Sequence, residues 1–369
     1  MTRFAGPTIE DIKRAANARP NDVLAWCGLR EHFDSKTYIL ISNPMRADRH
    51  PSFCIWNKGG TVSFKDLAGG AQGDVLHLVA YCNGWYDQPK KGLRETCRYL
   101  TDKLGLGNVS KEQLERDRER SRRREAEILK KSDEDRARAE GRAQELFFGA
   151  QVDILDTPVD TYLREARGID LRALPAGPRG GSRLPSVLRY LSEHEHRESG
   201  LRLPCMIAAC VDYQSDPPAI RAVHRTWLRP DGRGKAEVDP PRKCFPGFAG
   251  LVIPLWNGDG NMTVRQACEA GLLQTLCLGE GVEDGLTMAL GAPQHRVWAA
   301  ISLSNIQNIV LPPCVDGVLI HRQNDWDKPQ AVAAFDKGKA ALEAQGAPVG
   351  EIAAAYGKDI NDVLMGEMA

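Results

Sequence analysis

The sequence predicts a multidomain α/β protein, and three observations lead to this fold class. Strand and helix patterns alternate from residue 271 to residue 369, which predicts a mostly parallel sheet with helices on its faces. Residues 108–148 are dense in charged side chains, which indicates a charged helical linker. Short strands and capped helices within residues 1–107 indicate a separate α+β domain. Residues 149–270 form a basic segment with strands of its own.

Composition restricts the classes of protein to consider. The chain has 369 residues, enough for two or three domains. Charged residues make up 27% and hydrophobic residues 42%, as in ordinary soluble globular proteins. The net charge is zero, so any binding of nucleic acid must come from local basic patches. Residues 1–20 lack the apolar segment of a signal peptide, and no apolar run is long enough to span a membrane, so we expect a cytoplasmic protein without a membrane partner.

The ten cysteines are scattered along the chain and form no Cys-x-x-Cys pair. Several lie in apolar runs, where a free thiol behaves as a small hydrophobic side chain. The pattern predicts a reducing compartment, no disulfide framework and no zinc site of the usual spacing.

The first domain, residues 1–107, begins with a helix capped by Thr8, with Asp11 at the third helical position. Predicted strands follow at residues 38–41, 52–56 and 61–65, and further helices at residues 75–81 and 91–104. Residues 57–60 end in two glycines, which favours a hairpin turn between the second and third strands.

Around this hairpin lies a motif of prolines and glycines. Its positions are Pro44, Pro51, Ser52, Phe53, Gly70, Gly73 and Asp74. In order and spacing they resemble the zinc-ribbon domain that begins bacterial and phage DNA primases. The resemblance implies a module that binds template DNA. The alternative is a small packing domain that lost this role with its metal.

The zinc ligands of that family are absent from this chain. The corresponding positions are Asn43, Arg46, Asp66 and Gly69. Structural zinc needs about four thiolate or imidazole ligands, so we expect a zinc-ribbon-like domain without metal. We also expect Asp66 to accept a hydrogen bond or ion pair from Arg46 in place of the metal link.

In the linker, arginines alternate with acidic residues at three- and four-residue spacing, which favours a solvated helix. We interpret residues 108–148 as a spacer without chemistry; the alternative is an arm that follows phosphates.

The most basic local cluster of the chain lies in residues 149–270. The residues that we predict to bind nucleic acid are His224, Arg225, Arg233, Lys235, Arg242 and Lys243. A groove lined with such side chains can follow a phosphate backbone. The order of short motifs here resembles the segment before the metal-binding domain of plasmid and phage primases, which implies contacts with template and incoming nucleotide. The alternative is a surface hairpin with solvated arginines.

The last domain, residues 271–369, places a carboxylate at the end of a buried strand. Glu280 stands between Gly279 and Gly281, after a strand predicted at residues 276–278 and before a helix. In open α/β sheets, ligands bind in the crevice at the carboxyl ends of the strands. A later strand at residues 315–321 runs into a segment with Asp325 and Asp327.

Three motifs in this domain appear in a familiar order: Glu280 between glycines, residues 298–302, and residues 358–362. They resemble the Toprim domain, a Rossmann-like fold shared by primases, topoisomerases and some nucleases. The resemblance implies that Glu280, Asp325 and Asp327 bind Mg²⁺ or Mn²⁺, with Glu280 as an alternative general base. Carboxylates, waters and phosphates are the ligands that Mg²⁺ prefers.

The segment after the strand departs from the family, which has Asp-x-Asp there. One register aligns Gln323 and Asp325 with these aspartates and loses the first carboxylate. The other uses Asp325 and Asp327, and begins the next helix near Pro329. We favour the second register, since it retains both carboxylates and proline suits the first helical turn.

Four more acidic residues near these motifs have a simpler interpretation. We expect Glu283 and Asp284 to favour the dipole of a helix N-terminus. For Asp359 and Asp362 we favour a turn; the alternative is that they support the metal ligands from behind.

Our leading hypothesis is a phage- or plasmid-type DNA primase, or a primase-like protein, that makes short RNA primers from ribonucleotides on single-stranded DNA. One alternative is a Toprim-type nuclease, because the same carboxylates serve phosphodiester cleavage. Another is a nucleic-acid-binding accessory protein of replication or defence with impaired catalysis. The sequence has no Walker A motif, so a helicase is expected to be a separate partner.

Overall fold

The computed structural model describes residues 7–34, 36–48, 50–108, 111–176, 184–325 and 327–366. The chain forms two compact units, Met1–Lys130 and Lys131–Ala369. Within the described residues, no helix is both long and apolar enough to cross a membrane.

The first unit is a four-stranded antiparallel sheet with helices. Its strands, in spatial and chain order, are β1 (Tyr38–Ile41), β2 (Phe53–Lys58), β3 (Thr61–Asp66) and β4 (Gln72–Asp74). Its helices are α1 (Ile9–Asn17), α2 (Pro20–Trp26), α3 (Val75–Cys82) and α4 (Pro89–Lys103), followed by a short 3₁₀ turn at Leu106–Asn108. The predicted strands, the hairpin and the capping box of Thr8 with Asp11 are all present. Phe53, Ile55 and Phe64 are buried with α3 in one core.

The predicted ion pair between Arg46 and Asp66 is also present in this unit. The guanidinium of Arg46 donates to both carboxylate oxygens of Asp66, at 2.7 and 2.9 Å. Asp66 is buried and also accepts from Asn43 Nδ2 at 3.0 Å and from the hydroxyl of Tyr81 at 3.1 Å. A Cβ atom at Gly69 would lie 2.2 Å from Asp66 Oδ2. The four positions that the resemblance aligns with zinc ligands therefore fit together as one polar cluster. The zinc-ribbon origin itself remains a proposal.

The predicted linker is helical. Helix α5 (Lys111–Gly149) contains residues 111–148 of it, and the boundary between the two units falls inside this helix. The last two turns of α5 are not a free spacer, because Ala143 and Phe147 are buried among residues of the second unit.

The second unit contains two sheets. The antiparallel sheet has the order β5 (Leu188–His196), β6 (Leu201–Asp212), β7 (Ala219–Trp227) and β8 (Arg242–Phe245). The remaining strands are β9 (Ile253–Asn257), β10 (Gln274–Gly279), β11 (Arg296–Ala299), β12 (Val315–Arg322) and β13 (Val349–Ala353). They form a sheet in the order β13-β12-β10-β11-β9, in which only β9 runs antiparallel to its neighbour. The prediction of a mostly parallel C-terminal sheet is therefore confirmed.

Among the described residues, the same unit also contains α6 (Pro158–Arg167), α7 (Val264–Glu269), α8 (Val282–Gly291), α9 (Leu303–Ile306), α10 (Pro329–Glu343) and α11 (Ile360–Met365). A 3₁₀ turn lies at Leu171–Ala173. One hydrophobic cluster joins Leu163 of α6, Ala222 of β7 and Leu286 of α8. The two sheets thus share a core across the predicted boundary at residues 270 and 271, and that boundary remains a proposal from the sequence.

Candidate active site

The candidate site lies where the order of the parallel strands reverses. The chain passes from β10 through α8 to β11 on one side of β10, and then through α9 to β12 on the other side. At such a switch point the two connections diverge and leave a crevice at the carboxyl ends of the strands. Glu280 directly follows β10, and a polar cavity of about 390 Å³ opens there.

The cavity is lined mostly by charged side chains of both signs. Its acidic residues are Glu280, Glu283, Asp284, Asp325, Asp359 and Asp362; its basic residues are Arg167, Lys235, Arg242 and Lys358; and its amides are Gln323 and Asn361. A cavity with carboxylates and basic side chains can hold cations and phosphates next to one another.

Glu280 is held in the cavity by a tight turn from strand to helix. A Cβ atom at Gly279 would lie 3.1 Å from the backbone nitrogen of Gly285, so a larger residue there would push the helix away. Burial raises the pKa of Glu280, the nearby Asp325 raises it further, and the positive charges of Arg242 and Lys358 oppose both effects. Glu280 therefore has a greater proton affinity than an exposed glutamate.

Asp284 lies one helical turn beyond Glu280 and is almost completely buried. Burial raises its pKa to about 7, and the charges of Asp359 and Glu283 add to this effect. Gln323 Nε2 donates to Asp284 Oδ2 at 3.2 Å, and this hydrogen bond lowers the pKa of Asp284 and so opposes the effect of burial. The helix-dipole interpretation of Asp284 is therefore incomplete, because this side chain is one of the walls of the cavity.

Glu283 joins three distant parts of the second unit. Its Oε1 accepts from the hydroxyl of Tyr162 at 2.6 Å and lies 2.8 Å from Lys235 Nζ. Burial alone would raise the pKa of Glu283, but Lys235 and Tyr162 lower it well below the usual range. Sequence reasoning missed this contact, because no spacing rule relates residues that lie more than a hundred positions apart in the chain.

Arg167 continues the same network. Its Nε donates to the hydroxyl of Tyr162 at 3.1 Å. Asn361 Nδ2 donates to the carbonyl oxygen of Arg167 at 2.8 Å and thereby ties α11 to the end of α6. These contacts fix Arg167, a cavity residue that the sequence did not single out.

After β12, the chain places Gln323 and Asp325 on the cavity. Asp327 is exposed and is not among the lining residues. Helix α10 begins at Pro329, as predicted. Asp325 Oδ1 accepts from Lys328 Nζ at 2.6 Å. The residues that share the cavity with Glu280 are thus those of the less favoured register, and the favoured pair is split between cavity and surface.

Asp359 and Asp362 form the capping box of α11. The carboxylate of Asp359 accepts from the backbone nitrogens of Asn361 and Asp362, and that of Asp362 accepts from the backbone nitrogen of Asp359. Asp359 is therefore the N-cap of α11 and Asp362 lies in its first turn, and both side chains also line the cavity.

The six residues predicted to bind nucleic acid do not form one surface. Side chains alternate between the two faces of a sheet, and Thr226 of β7 pairs with Arg242 of β8, while Arg225 pairs with Lys243. Lys235 and Arg242 line the cavity. His224 shares the face of Thr226 and Arg242; it is half-buried, and burial lowers its pKa to about 4, which favours the neutral imidazole.

The other three residues lie elsewhere. The guanidinium of Arg225 is 5.1 Å from the ring centroid of Trp227, on the opposite face of the sheet. Lys243 pairs with Glu198. Arg233 is exposed, and its Nε lies 3.3 Å from Glu165 Oε2. A groove that includes all six residues is therefore not present, and only two of them reach the cavity.

Comparison with known proteins places this geometry in a family. Residues 275–369 match the family model of the Toprim domain. This part of the chain is a Toprim domain. Residues 137–255 match a domain of unknown function, DUF7146, which therefore precedes the Toprim domain and includes β5 to β8. No curated protein matches the chain.

Solved structures similar to the chain include three primase fragments. A DNA primase domain from Pseudomonas aeruginosa aligns at 17% identity over 48% of this chain and 52% of that one, with a TM-score of 0.30. The primase fragment of the bacteriophage T7 primase-helicase protein aligns at 16% over 44% and 59%, with a TM-score of 0.29. The DnaG primase catalytic domain bound to single-stranded DNA aligns at 14% over 62% and 76%, with a TM-score of 0.35. The chain thus spans about half the length of the Pseudomonas domain.

We call the polar cavity beside Glu280 the Toprim cavity. Its side chains fit a divalent cation bound by few protein ligands. Among the residues that the structure describes, no three His, Cys, Asp or Glu side chains are grouped as a ready metal site. Glu280 and Asp325 nevertheless lie close enough for the charge of Asp325 to raise the pKa of Glu280. Mg²⁺ commonly takes one or two carboxylates and completes its shell with waters and substrate phosphates. Of the three predicted ligands, Glu280 and Asp325 line the cavity and could bind such a cation, and Asp327 is exposed outside it.

Proposed function

We propose that this chain is a primase-like nucleotidyltransferase that joins ribonucleotides on single-stranded DNA in the Toprim cavity. The observation that carries the proposal is the combination of Glu280 and Asp325 with Lys235, Arg242 and Lys358 in one polar cavity at the switch point of the sheet. The motif order that resembles plasmid and phage primases supports the same assignment.

The proposed reaction is an attack by the 3′-hydroxyl oxygen of one nucleotide on the α-phosphorus of the next. A new oxygen–phosphorus bond forms, the bond to the pyrophosphate oxygen breaks, and the hydroxyl proton leaves. In its alternative role as general base, instead of binding the cation, Glu280 would accept this proton, since burial raises its pKa. A bound divalent cation would stabilise negative charge on the reacting phosphate oxygens.

Basic side chains supply the remaining charge stabilisation. Lys235, Arg242 and Lys358 point into the same cavity, where positive charges stabilise a triphosphate and the developing pyrophosphate. Glu283 holds Lys235 at 2.8 Å, and Tyr162 fixes Glu283 in turn. Lys235 is therefore presented to the ligand in a defined position.

Gln323 supports a second candidate function, a nucleic-acid-binding accessory protein with impaired catalysis. Gln323 lines the cavity beside Asp325, so the segment after β12 contributes one carboxylate and one amide to the cavity. Its other carboxylate, Asp327, is exposed. An amide oxygen is a weaker ligand for a hard cation than a carboxylate, so fewer anionic ligands remain.

One assay separates these functions. The protein is incubated with single-stranded DNA, labelled ribonucleotides and Mg²⁺ or Mn²⁺. Short labelled products that disappear in Glu280→Gln support the primase. A shortened template indicates a nuclease, and binding without either product indicates the accessory protein. Glu269→Gln, an exposed residue of α7, is the matched control and is expected to keep full activity.

A further inference from the structure

One residue joins the segment after β12 to the loop after β13. Asn324 lies in the chain between the cavity residues Gln323 and Asp325. Lys358, another cavity residue, lies in the loop that connects β13 to α11. The strands β12 and β13 are parallel neighbours, so both segments leave the sheet at the same edge. Asn324 is therefore close to the loop that carries Lys358.

Asn324 contacts that loop with both its backbone and its side chain. Its backbone nitrogen donates to the carbonyl oxygen of Lys358 at 2.8 Å. Its Nδ2 donates to the carbonyl oxygens of Gly357 at 2.9 Å and of Ala354 at 3.3 Å. These hydrogen bonds from one residue hold the loop between residues 354 and 358.

The first turn of α11 holds Lys358 from its other side. The backbone nitrogen of Lys358 donates to Asp362 Oδ2 at 2.6 Å. Gly357 lies in the left-handed region with φ 74°, and a Cβ atom there would lie 2.5 Å from the Cβ of Asp362. The backbone of Lys358 is therefore fixed at its nitrogen by Asp362 and at its oxygen by Asn324.

The side chain of Lys358 has no such support. It is exposed, and it has no ion-pair partner among the residues that the structure describes. Its charge lowers the pKa of Glu280, which shows that it acts on the same cavity. Lys235 differs, because Glu283 lies 2.8 Å from its Nζ and holds it. The position of Lys358 in the cavity therefore depends on its backbone.

We propose that Asn324 is a positioning residue that holds Lys358 in place to bind the phosphates of a nucleoside triphosphate. The inference rests on the proposed function for its ligand. A cation that is held in place before the ligand arrives loses less conformational entropy on binding. The segment after β12 then serves the cavity twice, with Asp325 itself and with the loop that Asn324 holds.

Isothermal titration of the full chain with ATP and Mg²⁺, without template, measures this role. Lys358→Ala is expected to weaken ATP binding about tenfold, since a charged hydrogen bond to phosphate is lost. Asn324→Ala is expected to weaken it about threefold to tenfold, because the loop loses both hydrogen bonds from Nδ2. Asn308→Ala removes an exposed amide between α9 and β12; this control is expected to remain within about twofold.

The double variant Asn324→Ala/Lys358→Ala tests whether one residue acts through the other. We expect it to bind ATP as Lys358→Ala alone does, within about twofold, because a loop without the lysine gains nothing from being held. Losses that multiply in the double variant would show that Asn324 acts on another group, and would overturn the proposal. Unaltered ATP affinity in Asn324→Ala would overturn it as well.

Titration with Mn²⁺ without nucleotide, followed by electron paramagnetic resonance, separates positioning of Lys358 from general support of the segment. Asn324→Ala keeps Glu280 and Asp325, so its Mn²⁺ affinity is expected to stay within about twofold of the unaltered protein. Equal losses of Mn²⁺ and ATP affinity in a variant that remains folded would show that Asn324 only supports the segment after β12. That result would contradict the proposed role.

Asn324→Asp provides a second variant where Asn324→Ala does not fold. It keeps the size of the side chain and replaces the donor Nδ2 by an oxygen, which repels both carbonyl oxygens of the loop. We expect ATP affinity to fall by more in the unaltered background than in the Lys358→Ala background, where only direct repulsion between the new charge and ATP remains. Equal losses in the two backgrounds would overturn the proposal.

These binding measurements need no primer synthesis, so the two proposals fail in different ways. A chain whose ATP binding depends on Lys358 and Asn324 but that makes no primers contradicts the proposed function and retains this inference. A chain that makes primers and keeps full ATP affinity in Asn324→Ala retains the proposed function and overturns the inference. Absence of ATP binding in the unaltered protein overturns both.

Discussion

At the scale of single residues, burial decides which charged groups of the cavity keep their usual properties. Asp284 and Glu283 are neighbours on α8, yet their pKa values move in opposite directions. Asp284 faces other carboxylates, whereas Glu283 faces Lys235 and Tyr162. Their different environments favour the protonated form of Asp284 and the charged form of Glu283.

The raised pKa of Asp284 predicts a stability change with pH. Its pKa is about 7 in the folded chain and 3.8 in a model peptide, so the folded state binds the extra proton between these values and stability falls as pH rises through the window. Asp284→Asn removes this loss. Near pH 4 we expect Asp284→Asn and the unaltered protein to have the same free energy of unfolding. Up to pH 7 the difference in favour of the variant is expected to grow by at most about 1.4 kcal/mol per pH unit.

Urea unfolding at several pH values, in the presence of a chelator, measures this gain. Asp316→Asn, an exposed position on β12, is the control and is expected to show no such trend. A constant difference between Asp284→Asn and the unaltered protein would contradict the burial of an unfavourable charge.

The contact of Glu283 with Lys235 predicts a large effect of a small change. Glu283→Gln keeps an acceptor for Tyr162 but leaves the mostly buried Lys235 without its counter-charge. We expect a loss of about 2 kcal/mol in the free energy of unfolding. The exposed pair of Arg265 with Glu269 provides the control, since Glu269→Gln is expected to change the free energy of unfolding by less than about 1 kcal/mol. Equal effects of the two variants in urea unfolding would show that the contact contributes little.

At the scale of elements, strand alternation decides which basic residues reach the cavity. Arg242 and Lys243 are adjacent in β8, and their side chains lie on opposite faces of the sheet. Arg242 lines the cavity, and Lys243 pairs with Glu198. A sequence-based count of positive charges therefore overestimates the charge that a ligand meets.

This alternation predicts different results for neighbouring substitutions. Arg242→Ala is expected to lower kcat/KM for primer synthesis at least about tenfold, because a charged contact to phosphate is lost. Lys243→Ala carries the same charge change on the other face and is expected to remain within about twofold. Similar losses in both variants would indicate that the whole strand, and not one face, contacts the ligand.

The polar cluster of the N-terminal unit predicts an effect of a single methyl group. In Gly69→Ala the new Cβ would collide with the carboxylate of Asp66 and with Arg46, 2.2 and 2.6 Å away. We expect faster hydrogen exchange in β3 and α3 and a loss of about 2 kcal/mol, since a buried ion pair is disturbed. Gly107→Ala, where an added Cβ meets no atom within 4 Å, is the control. Unchanged exchange in Gly69→Ala would show that the cluster can rearrange without cost.

At the scale of the whole molecule, strand order brings the functional residues together. Glu280 and Asp325 meet because β10 and β12 are neighbours and both run toward the same edge of the sheet. Lys235 and Arg242 enter from the antiparallel sheet and its loop, and Lys358 precedes α11. The cavity thus depends on both sheets of the second unit.

The placement of these carboxylates predicts the metal affinity of three variants. Titration with Mn²⁺, followed by electron paramagnetic resonance, is expected to show weaker binding in Asp325→Asn and unchanged binding in Asp327→Asn. Gln323→Asp is expected to bind Mn²⁺ more tightly, because it adds a carboxylate beside Asp325. A loss of affinity in Asp327→Asn would restore the register that the sequence favoured.

The sequence by itself determined the local elements and the position of the candidate site. Short-range patterns of apolar residues, glycine and proline predict three features. These are the strand, turn and helix around Glu280, the beginning of α10 at Pro329, and the charged helix before residue 149. The pairing of Arg46 with Asp66 was also predictable, because the resemblance aligns both residues with zinc-ligand positions of the ribbon family. Each of these inferences depends on neighbours along the chain or on a known motif.

Only the tertiary structure decided which distant side chains share the cavity. Strand pairing and helix packing decide three features of the site. They set the register after β12 and the contact of Tyr162 with Glu283. They also divide four predicted residues between the two faces of a sheet: His224, Arg225, Arg242 and Lys243. Charge and hydrogen bonding act across a few ångströms, and residues separated by a hundred positions come that close only when the chain folds.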